Sequence, residues 1–207
     1  MSRILDISPP ISSRLDVWPG DVGYRREVAM DFANGDNLAL SAIRTTVHLG
    51  AHADAPSHYR ADGVGIGARD LSYYYGDCQV FDVALARGER LRPAHLPGPV
   101  EAERVLFRTG TFPDSEAWNE DFAALSAELI HHLADAGVRL VGIDTPSIDL
   151  QEDKELESHN AVADRDMAIL EGLRLEEVPA GRYVLVALPL KLEGVDASPV
   201  RAVLLAD

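Results

Sequence analysis

The chain has almost no cysteine, no basic excess and no long apolar run, and each shortage excludes something. Its single cysteine, Cys78, leaves no intramolecular disulfide to hold the fold. None is needed at 207 residues, because a domain of this size buries roughly 70% of the surface its unfolded chain exposes. Cys78 lies in the apolar run Cys78-Gln79-Val80-Phe81 with no basic neighbour to stabilise a thiolate, so it reads as a core residue and not as a nucleophile. Lysine and arginine total 19 against 34 aspartates and glutamates, a net charge of −15 at pH 7. Without a local basic block, the chain is not expected to bind nucleic acid or an anionic membrane. No apolar stretch approaches the roughly 18 residues of a membrane span. Met1-Ser2-Arg3 leads into Pro9-Pro10 and not into a signal-peptide core, so the expected location is cytoplasmic. Repeats, low-complexity tracts and long polar linkers are missing too, which predicts one domain over residues 1–207.

What is present is a set of short Val/Ile/Leu-rich runs bounded by Gly or Pro. They fall at Arg3–Ile7, Leu38–Val47, Gln79–Leu85, Arg104–Arg108, Arg139–Ile143, Tyr183–Leu188 and Arg201–Leu205, and are expected to form a sheet. After Asn119, the acidic pair Glu120-Asp121 followed by Phe122, Leu125, Leu129, Ile130 and Leu133 predicts a helix that ends at Gly137. His131 and His132 near its end read as surface residues favoured by the helix dipole. A helix leading into a strand suggests a crossover, and the class is α/β or α+β with a mixed sheet, α/β (mixed) being preferred.

The chemistry gathers in His48-Leu49-Gly50-Ala51-His52-Ala53-Asp54-Ala55-Pro56-Ser57-His58, which holds three of the seven histidines. In extended form, steps of two put His48, His52, Asp54 and His58 on one side while Leu49, Ala51, Ala53 and Ala55 pack against the fold. In helical form, His48 and His52 form an i, i+4 pair, although Gly50 and Pro56 count against a helix. Imidazole with carboxylate suits a borderline divalent ion such as Zn²⁺. His58 follows three ligand-type residues and is the candidate general acid/base, or else a support for the ligands. Further on, Glu171 stands alone in the apolar stretch Met167–Leu173, where a buried carboxylate needs a cation or a salt bridge. Trp18 precedes Pro19-Gly20, a pair suited to a type II turn that would present the indole at a loop tip. The run Tyr73-Tyr74-Tyr75 could line a pocket, pack in the sheet or meet a partner.

These pieces, together with Asp6-Ile7-Ser8-Pro9-Pro10-Ile11, Asp144-Thr145-Pro146-Ser147-Ile148-Asp149, Ser158-His159, Ile169–Leu173, Ala187–Leu192 and Asp196–Arg201, resemble the bacterial kynurenine formamidases. Those are arylformamidases of the cyclase-like metal-dependent hydrolase family, and the resemblance covers almost the whole chain. It implies a cyclase-like swivelling β/β/α fold in a homodimer, and a small-molecule substrate. It implies that His48, His52, Asp54, His159 and Glu171 hold two divalent ions, Zn²⁺ first and Mn²⁺ second, that His58 moves the proton and that Trp18 contacts substrate. Ala51 stands where many relatives have Thr. Five ligands agree with two ions, since a lone catalytic zinc needs three. The expected reaction is hydrolysis of N-formyl-L-kynurenine to L-kynurenine and formate. Two rivals are the same chemistry on another small amide such as isatin, and a non-catalytic protein that binds metal or metabolite.

Overall fold

The computed structural model describes residues 3–206. Met1 and Ser2, which begin the stretch read as unlike a signal peptide, lie outside them. The strands are β1 (Arg3–Asp6), β2 (Arg25–Met30), β3 (Leu40–Arg44), β4 (His52–Asp54), β5 (Tyr75–Asp82), β6 (Arg90–Leu91), β7 (Arg104–Arg108), β8 (Ala124–Leu125), β9 (Leu140–Ile143), β10 (Ala168–Glu171), β11 (Gly181–Val186), β12 (Ala197–Pro199) and β13 (Val203–Ala206). The α-helices are α1 (Pro56–Tyr59), α2 (Ala127–Asp135) and α3 (Glu157–Asp164). No helix among the described residues is long and apolar enough to cross a membrane.

Nine strands form one mixed sheet in the order β1-β13-β11-β5-β7-β9-β10-β4-β12. Its centre, β5-β7-β9-β10, is parallel, and every other pairing in it is antiparallel. The connections β7-α2-β9 and β9-α3-β10 are the crossovers that parallel neighbours require. Strands covered on both faces read as continuous apolar runs, and β7, β9 and β10 are buried along nearly their whole length. Alternation then divides the core. Val105, Phe107, Val141 and Ile169 face α2 and α3, where they meet Leu129, Ile130, Leu133 and Val162. Leu106, Leu140, Ala168 and Leu170 face the other way, against Leu185, Leu204 and Ala53 from the outer strands of the same sheet. The sheet therefore curls over its own inner face. Each such Leu, Ile or Val contributes roughly 1.5–3 kcal/mol by leaving water.

Two expectations need correction. The run Leu38–Val47 does not join the main sheet: β3 ends at Arg44 and pairs only with β2, and the chain then bends through Gly50, whose φ is +55°. The helix expected from Glu120 begins instead at Ala127, because Ala124–Leu125 extends to pair with β6 and the Ser126 side chain accepts a hydrogen bond from the Leu129 N–H. Its end at Gly137, φ +88°, is where the sequence put it. Cys78 is buried, and burial pushes its thiol up to about 12. Tyr74 is also buried, whereas Tyr75 is exposed.

Candidate metal centre

The ligand-type side chains come from β4, β10, α1, α3 and the loop before β4, on one edge of the parallel core. Residues two apart on a strand share a face, so β4 presents His52 and Asp54 together while Ala53 enters the core. Strand β10 pairs antiparallel with β4 and sets Glu171 directly opposite His52. Opposed residues share a face, and Glu171 Oε2 lies 3.1 Å from His52 Nε2. The loop before β4 reaches the same point through a close backbone approach. A Cβ on Gly172 would fall 2.1 Å from the Gly50 carbonyl oxygen, and Gly172 has φ +62°, so this position takes glycine only. His159 enters from the first turn of α3, and His58 from α1, whose first residue is Pro56. Neither continuous reading of the segment holds: only 52–54 is strand and only 56–59 is helix.

Asp54 is the hub. Its Oδ1 lies 3.0 Å from His48 Nδ1 and 3.4 Å from His52 Nε2, and its Oδ2 lies 3.4 Å from His159 Nε2. Glu171 Oε1 is 3.6 Å from His159 Nε2. Ligands about 2.05 Å from a tetrahedral ion stand about 3.3 Å apart, so these separations match a coordination cage. Both Asp54 oxygens and His159 Nε2 are buried with no well-aligned hydrogen bond, only nearby imidazoles and carboxylates, an arrangement that is costly unless a cation or added protons satisfy them. Ligand atoms of His48, Asp54 and His58 lie within 4.8 Å of one another, as do those of His52, Asp54 and Glu171. Asp54 belongs to both groups. The donor set therefore fits one or more divalent cations.

The outward-facing nitrogens of the rings are already engaged. His52 Nδ1 donates to the Gly50 carbonyl at 2.8 Å, which leaves the Nε2 lone pair directed at Glu171 and Asp54. His159 Nδ1 is 2.8 Å from Asp149 Oδ2, and the Asp149 carboxylate also accepts the Ser158 and His159 N–H groups at the start of α3 and the Arg90 guanidinium. His48 Nε2 is 2.9 Å from Asp196 Oδ2, which is also 3.4 Å from His58 Nδ1. Without metal, protons compensate the carboxylates. Burial opposes charge on His48 and His159, yet the hydrogen bonds and charges of Asp54, Asp149, Asp196 and Glu171 raise them to about 9 and about 10. His52 is raised as well, against its burial, by Glu171 and Asp54. Asp54 is held well below the usual carboxylate range: its burial opposes this, and the surrounding imidazoles prevail.

Over the cluster lies a cavity of about 1000 Å³ whose floor is His48, His52, His58, His159 and Glu171. One wall is aromatic. Asp21 N–H donates to the Trp18 carbonyl at 2.9 Å and Gly20 has φ +93°, which is the expected turn, and it presents the half-buried Trp18 indole to the cavity. There Trp18 meets Trp118 edge-on at 5.5 Å, and Trp118 meets Phe112 at the same distance. The loops carrying this wall are clasped by Arg14–Glu116, by Asp16 N–H to the Ser115 carbonyl and by Trp118 N–H to Asp16. Tyr73, Tyr74 and Tyr75 do not line this cavity.

The family model described as "Putative cyclase" matches residues 5–150, most of the chain. The chain belongs to the cyclase family. Among solved structures, one described as a potential metal-dependent hydrolase with cyclase activity is 30% identical, with a TM-score of 0.86 over 100% of this chain and 99% of that one. Another, described as a predicted metal-dependent hydrolase from Bacillus stearothermophilus, is 30% identical with a TM-score of 0.84 over 100% of both. Isatin hydrolase A from Labrenzia aggregata, bound to benzyl benzoate, shares the fold at 22% identity, with a TM-score of 0.83 over 99% of this chain and 94% of that one. The nine-stranded mixed sheet of this cyclase-family chain is the fold these proteins share.

Of the residues singled out in the sequence, Trp18, His48, His52, His58, His159 and Glu171 line this cavity, and Asp54 is buried against His48, His52 and His159. Sequence reasoning missed the parts played by Asp149, Asp196, Trp118 and Phe112. Asp149 carried a weak signal, a carboxylate ten residues ahead of His159. Trp118 and Phe112 carry no motif or periodicity that marks them in the sequence.

Proposed function

We propose that this cyclase-family protein is a metal-dependent arylformamidase that hydrolyses N-formyl-L-kynurenine to L-kynurenine and formate. The observation that carries this reading is the aromatic wall of Trp18, Phe112 and Trp118 in the same cavity as the buried His/Asp/Glu cluster, which suits an amide with an aryl amine. His48, His52, Asp54, His159 and Glu171 would hold two divalent ions, Zn²⁺ or alternatively Mn²⁺. Such ions would supply Lewis acidity for activating a water and polarising the formyl oxygen.

The chain's own groups do the rest. Trp18 stacks on the aryl ring and sets the amide over the cluster. Burial of Asp54 and Glu171 keeps water from screening the charge they hold. His58 takes a proton from the water as the water oxygen bonds to the formyl carbon, and delivers it to the departing aniline nitrogen as the C–N bond breaks. His58 suits that task because it faces the cavity and is 36% exposed, so it can exchange its proton with solvent, while Asp196 orients its ring. The protein would act on a small molecule, as a cytoplasmic homodimer, without nucleic acid or membrane.

The second reading is isatin hydrolysis, favoured by the fold shared with isatin hydrolases. An assay of purified protein on N-formylkynurenine and on isatin, with metal content measured in the same sample, separates them. Higher kcat/KM on the formamide, abolished by chelation and restored by Zn²⁺, is the expected result. Preference for isatin would transfer the function, and bound metal without turnover of either would make the protein a binder.

A further inference from the structure

The cavity has a charged end for which the reaction above has no task. It opens over the carboxyl ends of the parallel strands, where sheets of this kind hold ligands, and β10, β7 and β5 end there in Glu171, Arg108 and Asp82. Asp82 and Arg108 are register partners, and Arg108 donates to both Asp82 carboxylate oxygens, with Nε 3.1 Å from Oδ1. A second ion pair, Arg174 with Glu176, lies on the same rim. The two pairs are joined, because Arg108 Nη1 donates to the Val178 carbonyl at 2.9 Å and lies 3.4 Å from that of Glu176. The backbone beside Arg108 is pinned as well: the Asp144 carboxylate accepts the Thr109 and Gly110 N–H groups at 2.9 and 2.8 Å. Arg174 is exposed and, among the described residues, its side chain hydrogen-bonds through Nε alone, so its two Nη nitrogens remain for a ligand.

We propose that these two pairs form a subsite for a zwitterionic amino-acid group, with Arg108 and Arg174 taking its α-carboxylate and Asp82 and Glu176 its α-ammonium. Two cations and two anions on one rim complement a group that carries one charge of each sign, whereas a lone anion or cation would leave like charges beside it. The planar fork of arginine suits a carboxylate. The spacing agrees. Strand β7 lies two strands from β10, which puts Arg108 about 10 Å across the sheet from Glu171. N-formylkynurenine carries its carboxylate seven bonds from the formyl carbon, about 8 Å when extended, and an arginine side chain closes the difference. With the formyl group over the His/Asp/Glu cluster and the ring against Trp18, the amino-acid group is carried to this end. The inference rests on the proposed aryl-amide substrate and names what would select an amino acid among aryl amides.

The test is calorimetric titration of the metal-loaded protein with L-kynurenine and with 2-aminoacetophenone, the same aryl ketone without its amino-acid group. The wild type, Arg108→Gln and Arg174→Gln are compared, and the exposed Arg174 keeps the test open should Arg108→Gln disturb the fold. The expected result is that the wild type binds L-kynurenine on the order of tenfold or more tightly than 2-aminoacetophenone, and that each variant loses most of this preference with circular dichroism and metal content unchanged. Equal affinity for the two ligands in the wild type overturns the subsite, as does a preference that survives in either variant; hydrolysis of N-formylkynurenine by the same sample would then leave the proposed reaction standing. Conversely, an arginine-dependent preference for L-kynurenine without turnover of N-formylkynurenine supports the subsite and counts against the reaction.

Discussion

The floor and the wall of the cavity are built differently. The floor comes from β4, β10 and the first turn of α3, elements fixed by strand pairing and by the Asp149 carboxylate at the helix start. The wall comes from two loops, around Trp18 and around Trp118, which hold each other by one ion pair, two hydrogen bonds and edge-on aromatic contacts. Metal ligands must be positioned to a few tenths of an ångström, and sheet hydrogen bonds provide that. Substrate selection tolerates looser support and varies most easily on loops. The difference predicts that damage to the floor removes catalysis, whereas damage to the wall changes which molecule is bound.

The largest effect is expected at the hub. Asp54→Ala should release metal, as read by elemental analysis, and lower kcat by on the order of 10³-fold or more, since several kcal/mol of charge stabilisation go with the ions. Retained stoichiometry would show that the floor does not depend on a shared carboxylate. His58→Ala should keep its metal while kcat on the formanilide falls roughly 10²–10⁴-fold, with a smaller loss on a formyl ester of a phenol, whose leaving group needs little proton help. Equal losses on both substrates, or loss of metal, would move His58 among the ligands, where its distances to His48 and Asp54 also allow it. Asp149→Asn should weaken metal affinity about 10–100-fold by removing the charged partner of His159 Nδ1. A competition titration with a chromogenic chelator measures this, and an unchanged affinity would assign Asp149 to helix capping alone.

Smaller effects should distinguish the wall. Trp18→Ala should raise KM by about tenfold, roughly 1–2 kcal/mol of aromatic contact, with metal content intact. If metal fell as well, floor and wall would be one cooperative unit. The pH dependence of stability gives the mildest test. In metal-stripped protein His48 and His159 titrate near 9 and 10, above the usual 6.5, so they bind protons more tightly when folded. Their contribution is complete below about pH 6.5 and disappears as pH rises through 9–10, and Tm of the stripped protein should fall across that interval. Asp54 acts in the opposite sense: its stabilisation is present above about pH 4 and is lost as pH falls through its lowered value. Metal-loaded protein should lack the alkaline decline, because the ions require neutral imidazoles.

The sequence by itself determined what lies within a few residues. Apolar runs became β1, β5, β7, β9, β11 and β13, and in β7 and β9 the continuous Val, Ile and Leu answer to burial on both faces. The run from His48 to His58 declared its chemistry because imidazoles and a carboxylate at such density have few other uses. Trp18-Pro19-Gly20 encoded its own turn, since proline fixes one backbone angle and glycine permits the positive one. Tertiary structure decided what depends on distant partners. Strand register set Glu171 opposite His52, although 119 residues separate them. Asp196 reaches His48 and His58 from a turn whose local sequence has no periodicity to read. Trp118 became part of the wall only when Ala124–Leu125 was drawn into a strand and Ser126 delayed the helix, leaving the preceding loop free to clasp the segment around Asp16. Side-chain chemistry is a property of the residue and can be read singly, but a site is a set of distances, and long-range pairing alone fixes those.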